Sequence, residues 1–205
     1  MNTLRQIVSP ENGRLSVLLP KEYTQQRFEV IVLPIEETNE KDPQKLAEAH
    51  RIIDRGTSLG HDFVTDFEKN REGRPLPFRG WFGMYLLDSN LLIYSALPEY
   101  AYLRPLLKDP LGHTSLFSKL EVLGYHRLDA PTKLYFESVF YSLRVLPVST
   151  EVLDKAIALR QQQKLSPGDA IIAATALIYD FELLTRNIAD FNQIHDLKFR
   201  NPVLE

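Results

Sequence analysis

The run Met84-Tyr85-Leu86-Leu87-Asp88-Ser89-Asn90-Leu91-Leu92-Ile93-Tyr94 constrains this chain more than any other. Its first four residues lean apolar without alternating, which suits a short strand buried on both faces. Asp88-Ser89-Asn90 then stops it with side chains that favour turns and helix N-caps. An acid is thereby left at the carboxyl end of a strand. In open parallel α/β sheets those ends form the rim where ligands bind, so this one run predicts a fold class and a place for chemistry.

The rest of residues 84–205 repeats the rhythm. A helical stretch is expected through Leu107, a strand over His113 to Phe117, then a helix containing Lys119 to Gly124. Pro131 to Leu143 reads as a helix, Arg144 to Val148 as a strand, and Ser149 to Gln162 as a helix capped by Ser149 or Thr150. Ser166-Pro167-Gly168-Asp169 is a helix start, with Ser at the cap and Pro in the first turn, and it leads into the apolar run Ala170 to Tyr179. Phe181 to Leu184 follows as a strand, Thr185-Arg186-Asn187 as a turn, Asp190-Phe191 as a short helical turn, and Leu197 to Phe199 as the last strand. Strands trading places with helices predict a parallel sheet flanked by helices.

Four acids fall at telling points: Asp88 after the first strand, Glu121 on the helix after the second, Asp169 in the first turn of the apolar helix, and Asp190 after Thr185. Singly, each has a plainer use: a cap for Asp88, a solvated face for Glu121, a capping-box partner of Ser166 for Asp169, and a surface turn for Asp190. Together they would repel one another at one rim unless a cation joined them. The chain has no cysteine, so disulfides, thiolate metal sites and cysteine nucleophiles are excluded. A metal here must take oxygen or imidazole, and an all-carboxylate set suits Mg²⁺ or Mn²⁺.

Four segments carry a family resemblance: Met84 to Asn90, Ser118-Lys119-Leu120-Glu121-Val122-Leu123-Gly124, Gly168-Asp169-Ala170-Ile171-Ile172-Ala173-Ala174, and Leu184-Thr185-Arg186-Asn187-Ile188-Ala189-Asp190-Phe191. In order and spacing they resemble the motifs of PIN-domain ribonucleases of the VapC toxin type, across nearly all of residues 84–205. The resemblance implies a compact α/β endoribonuclease that hydrolyses RNA with Mg²⁺ or Mn²⁺. Asp88, Glu121, Asp169 and Asp190 would be its catalytic, metal-binding acids, and Asn90, Thr185 and Asn187 its polar pocket residues. Ser89 stands where the family often has Thr. Arg186 and Lys119 are candidates for touching flanking phosphates.

Residues 1–83 are built differently. Leu4 to Val8, Arg14 to Leu19 and Arg27 to Leu33 read as three short strands of a β-hairpin or meander, making 1–40 the β-rich part. Asp42-Pro43 opens a helix over Gln44 to Asp54, with apolar residues at Leu46, Ala49, Ile52 and Ile53. Thr57-Ser58 would cap a second piece through Phe67. So thin a stripe cannot make a core alone, which predicts that residues 44–82 lie against the second half. The position of residues 1–83 before a toxin-like half, and their general likeness to VapB-type partners, imply an antitoxin in the same chain, with 41–83 as the wrapping part. Arg71, Arg74 and Arg79, on a Pro-rich extended segment with Phe78, Trp81 and Phe82, are the inhibitory candidates, because a guanidinium fork pairs with carboxylates. One of them would occupy the acidic pocket of its own chain or of a neighbouring subunit in a homo-oligomer.

Residues 1–83 carry 12 basic and 13 acidic side chains, and no basic cluster marks them for nucleic acid, so operator DNA is a partner by analogy with antitoxins alone. No run approaches a membrane span and the first residues lack a signal-peptide core, so a cytoplasmic protein is expected. Two rivals stand beside the metal nuclease. One is a metal-independent ribonuclease using His113 and His126 as general acid and base. The other is a catalytically silent RNA- or DNA-binding regulatory protein.

Overall fold

The computed structural model describes residues 41–57 and 83–203, all within one compact unit that starts at Lys41. The expected strands of residues 1–40, the helical piece from Ser58 to Phe67, and Arg71, Arg74 and Arg79 lie outside the described residues. Chain order runs α1 (Pro43–Arg55), β1 (Tyr85–Leu87), α2 (Ser89–Ala96), a 3₁₀ turn (Pro98–Leu103), α3 (Arg104–Lys108), β2 (Gly112–Ser115) and α4 (Leu116–Leu123). It continues with α5 (Ala130–Ser142), β3 (Arg144–Leu146), α6 (Thr150–Gln162), α7 (Pro167–Tyr179), β4 (Glu182–Leu184), α8 (Ile188–Phe191) and β5 (Phe199–Arg200).

The five strands form one parallel sheet in the order β3-β2-β1-β4-β5. After β1 the chain builds outward through β2 and β3, and then returns to β1's other side for β4 and β5. The carboxyl ends of β1 and β4 therefore flank the point where the strand order reverses, the crevice where open α/β sheets bind ligands. Strand residues alternate between two cores: Tyr85, Leu87 and Leu184 join one with α2, α3 and α5, and Leu86 and Leu183 join the other with α6 and α7. Burial on both faces explains why the central strand, Tyr85–Leu87, reads as an apolar run.

Local chemistry places the helix starts. Asp42, Asp88, Ser115, Asp129, Ser149 and Ser166 each cap a helix through a side-chain oxygen that accepts a backbone N–H. The third strand ends at Leu146 instead of Val148 and the last lies at Phe199–Arg200 instead of Leu197 to Phe199, and two further expectations change for a local reason. The helix expected through Leu107 breaks after Ala96, because Leu97 precedes Pro98 and takes an extended conformation (φ −74°, ψ 143°). The second strand ends at Ser115, before Phe117, because Ser115 turns to cap α4.

Helix α1 lies on α5 and α3; it buries Ala49 and Ile53, and Ile53 joins the same core as Tyr85 and Leu87. Its ends are tied by polar contacts. Lys41 Nζ donates to the carbonyls of Ser142 (2.5 Å) and Leu143 (3.0 Å) at the end of α5, where a cation is favoured. Buried Arg104 donates to Asp54 O (2.8 Å) and to the carbonyls of Ser95, Ala96 and Leu97, joining the ends of α1 and α2. Gly56 makes that approach possible. Its φ is 70°, and a Cβ there would lie 2.2 Å from an Arg104 guanidinium nitrogen. Among the described residues no helix is long and apolar enough to cross a membrane.

Candidate active site

Asp88 follows β1 and Thr185 follows β4, so the two meet at the sheet's reversal point. Thr185 Oγ1 donates to Asp88 Oδ2 at 2.7 Å, and Asn90 Nδ2 donates to the same oxygen at 2.7 Å. Asp88 Oδ1 accepts the Ser89 N–H at 2.7 Å, which makes the acid the cap of α2 as well. Cap and rim acid are thus one residue, 2% exposed. Three donors on one buried carboxylate hold it in a single orientation.

The network continues on both sides. Thr185 Oγ1 accepts from Asn187 N (3.0 Å) and Asn90 Nδ2 (3.1 Å), which uses its hydroxyl fully, and Asn187 Nδ2 donates to Asp190 Oδ2. On the other side Ser89 Oγ donates to Glu121 Oε2. Glu121 in turn stands beside the first turn of α7: a Cβ built on Gly168 would lie 3.2 Å from Glu121 Oε1. The next residue, Asp169, is in a capping box, with Ser166 Oγ donating to its Oδ2 (2.5 Å) and accepting its N–H (3.0 Å). Asp88, Asn90, Thr185, Asn187 and Asp190 are joined by hydrogen bonds, Glu121 through Ser89, and Asp169 by its neighbour's approach to Glu121. Among the described residues no three Asp, Glu or His side chains gather closely enough to enclose an ion. The donor set itself, carboxylates steadied by hydroxyls and amides, is the hard-oxygen chemistry that Mg²⁺ and Mn²⁺ accept.

Two connecting residues escaped the sequence reading. Ser89, noted there only as a departure from Thr, is the link between Asp88's turn and Glu121. Asn201 follows β5 beside Thr185, is 1% exposed, accepts the Val203 N–H (2.9 Å), and has no partner for Nδ2 among the described residues. Its only sequence signal is an Asn-Pro pair at a strand end. Lys119 is exposed on α4. Arg186 donates its backbone N–H to Asn90 Oδ1 (3.3 Å), and its guanidinium lies over the Tyr94 ring, 4.7 Å from the centroid.

The histidine alternative meets a steric obstacle. His113 is 3% exposed in β2, donates from Nδ1 to Leu111 O (2.9 Å) and packs on Phe181, with centroids 4.6 Å apart. His126 is exposed beyond α4, against Tyr125. Burial, assisted by Arg144, holds His113 below the usual imidazole range, although its hydrogen bond to Leu111 pulls the other way. Its folded form therefore binds fewer protons than the unfolded chain as pH falls below about 6.5, and stability drops through that window. Thermal melting at pH about 7.5 and about 5.5 is expected to show a lower Tm at the acid value, with the gap narrowed by His113→Asn. A variant that keeps the whole drop would remove His113 as its source.

A family model described as PIN domain matches residues 85–196. Among solved structures, a toxin-antitoxin complex from Klebsiella pneumoniae is similar at 29% identity and TM-score 0.48, over 59% of this chain and 99% of that one. FitAcB from Neisseria gonorrhoeae is similar at 25% identity and TM-score 0.48, over 58% and 98%. DNA-bound VapBC from Salmonella typhimurium shares the fold at 16% identity and TM-score 0.50, over 60% and 100%. No curated protein matches. With the PIN domain model matching more than half of its length, over the first four strands and all four acids, this chain belongs to the PIN domain family.

Proposed function

We propose that residues 84–205 are a metal-dependent endoribonuclease of the VapC toxin type and that residues 1–83 are its inhibitory antitoxin, carried in one chain. Family membership supports the coarse part, a PIN nuclease domain. The observation that supports the metal site is the hydrogen-bonded row from Asp190 through Thr185 and Asp88 to Glu121, set at the reversal point of the sheet. Asp88, Glu121, Asp169 and Asp190 would hold Mg²⁺ or Mn²⁺. Such a cation, when bound, lowers the pKa of a bound water and offsets charge on the phosphoryl oxygens. The chain's own part is positional. Thr185 and Asn90 fix the Asp88 carboxylate, Ser89 turns Glu121 toward it, and Asn187 steadies Asp190, so that an RNA phosphodiester meets oriented oxygens.

Inhibition is assigned to Arg71 or Arg74, with Arg79 less well placed to reach its own pocket, competing with the cation for the carboxylates in cis or across a homo-oligomer. Operator binding by residues 1–83 is the corresponding proposal for DNA, tested by mobility shift on the chain's own promoter. The central experiment follows cleavage of an RNA pool by the full chain and by chains starting at Lys41 and at Met84, with Mg²⁺ or Mn²⁺ and with EDTA. Cleavage is expected from a shortened chain, lost in EDTA, and partly released in the full chain by Arg71→Ala with Arg74→Ala. Cleavage that survives EDTA would sink the metal reading. A full chain as fast as both shortened ones would sink the antitoxin.

A further inference from the structure

Among the described residues, two buried side-chain polar atoms have no hydrogen-bond partner, Ser118 Oγ and Asn201 Nδ2. Ser118 lies one turn before Glu121 on α4, and its hydroxyl can rotate to another staggered position. Asn201 lacks that freedom. Its Oδ1 accepts the Val203 N–H at 2.9 Å, so the amide is pinned and its NH₂ is assigned by that bond. The turn at Asn201-Pro202-Val203 needs only a side-chain oxygen, which Asp or Ser would supply as well. The NH₂ is what asparagine adds, and a buried N–H without an acceptor is costly unless a water answers it.

That NH₂ stands at the end of the sheet that carries the acid row. Leu184 pairs with Arg200, and Thr185 N donates to Arg200 O at 3.0 Å, which sets Asn201 alongside Thr185 past the ends of β4 and β5. Asn187 N donates to Thr185 Oγ1, folding the Thr185-Asn187 turn back on itself, and α8, which starts at the next residue and carries Asp190, packs on β5. Thr185, Asn187 and Asn201 are all buried. The Thr185 hydroxyl is already fully used, so it cannot accept from Asn201. Asn187 gives its NH₂ to Asp190, which leaves Oδ1 as the acceptor side of that amide. We infer that Asn201 is a positioning residue of the acid row: its Nδ2 holds a buried water that ties the end of β5 to the Asn187 amide and so fixes the turn that presents Asp190. The inference rests on the metal-nuclease reading of the row and goes beyond it by adding a residue that touches neither ion nor RNA. Partners one step behind a metal ligand set that ligand's orientation and with it the affinity for the ion.

The first test reads Mn²⁺ affinity from the paramagnetic resonance signal of the free ion, on the full chain carrying Arg71→Ala with Arg74→Ala so that neither guanidinium competes. Asn201→Ser, which keeps an oxygen for the Val203 N–H, and Asn201→Ala are each expected to weaken binding on the order of tenfold. The second is heteronuclear NMR of the metal-free full chain. The wild type is expected to show the Asn201 side-chain NH₂ in contact with a long-lived water, and Asn201→Ser to shift the Asn187 side-chain NH₂. A Ser variant equal to the wild type while the Ala variant falls would make Asn201 a turn residue alone and overturn the positioning role. Unchanged affinity in both variants, or an affinity loss with the Asn187 signals unmoved, would overturn it too. So would a wild-type Asn201 NH₂ with no water on it, a result that depends on neither variant folding. Mn²⁺ binding that Asp190→Asn removes and both Asn201 variants keep would dismiss Asn201 and leave the metal reading standing, whereas no Mn²⁺ binding at all would overturn both.

Discussion

Asp88→Asn is expected to remove metal-dependent RNA cleavage by more than about a hundredfold, beyond what replacing an outer-shell partner of a metal ligand costs. The carboxylate accepts from Ser89 N, Asn90 Nδ2 and Thr185 Oγ1, all donors. An amide at this position must turn its NH₂ toward one of them, and Thr185 cannot answer as an acceptor because it already accepts from Asn90 and Asn187. The expected cost in stability is therefore about 1–3 kcal/mol, that of a buried polar group left unpaired, which weakens the fold without abolishing it. Asp190→Asn separates the two effects, because Asp190 is exposed and its loss disturbs only Asn187. Cleavage assays paired with circular dichroism would show both variants folded and inactive. A folded Asp88→Asn protein that cuts RNA at the wild-type rate would end the metal-site reading.

The second large effect is on stability, at α1. Ile53 is fully buried among residues of the PIN domain, so Ile53→Ala removes packing from a shared core and is expected to cost about 2–5 kcal/mol. Arg51→Ala, two residues earlier on the exposed face of α1 in an i,i+3 pair with Glu48, should stay within about 0.5 kcal/mol. Urea melts of the two variants would show a clear fall in midpoint for the first and none for the second. An Ile53→Ala midpoint equal to the wild type's would mean that α1 is a loosely applied strap. The consequence bears on the cleavage experiment: a chain starting at Met84 loses this helix and uncovers the core, whereas one starting at Lys41 keeps it.

What the sequence determined here is local. Asp42, Asp88, Ser149 and Ser166 marked helix starts because a cap is chemistry between a side chain and backbone groups one to three residues away. Tyr85 to Leu87 read as a buried strand because both its faces are covered, and Asp169 with Ser166 read as a capping box because both partners lie in one turn. The four acids could be named from their positions after strands and in helix turns, and from the family motifs that surround them. Tertiary structure decided which of these residues meet. Thr185 lies 97 residues from Asp88, and only the order β3-β2-β1-β4-β5 makes β1 and β4 neighbours so that the hydroxyl reaches the carboxylate. The same holds for Ser89 with Glu121 and for Arg104 against the ends of α1 and α2. Each is a contact between elements, and periodicity and capping describe elements one at a time. Strand order and helix docking are settled by which apolar faces are buried together, a property of the whole core that no single stretch of the chain contains.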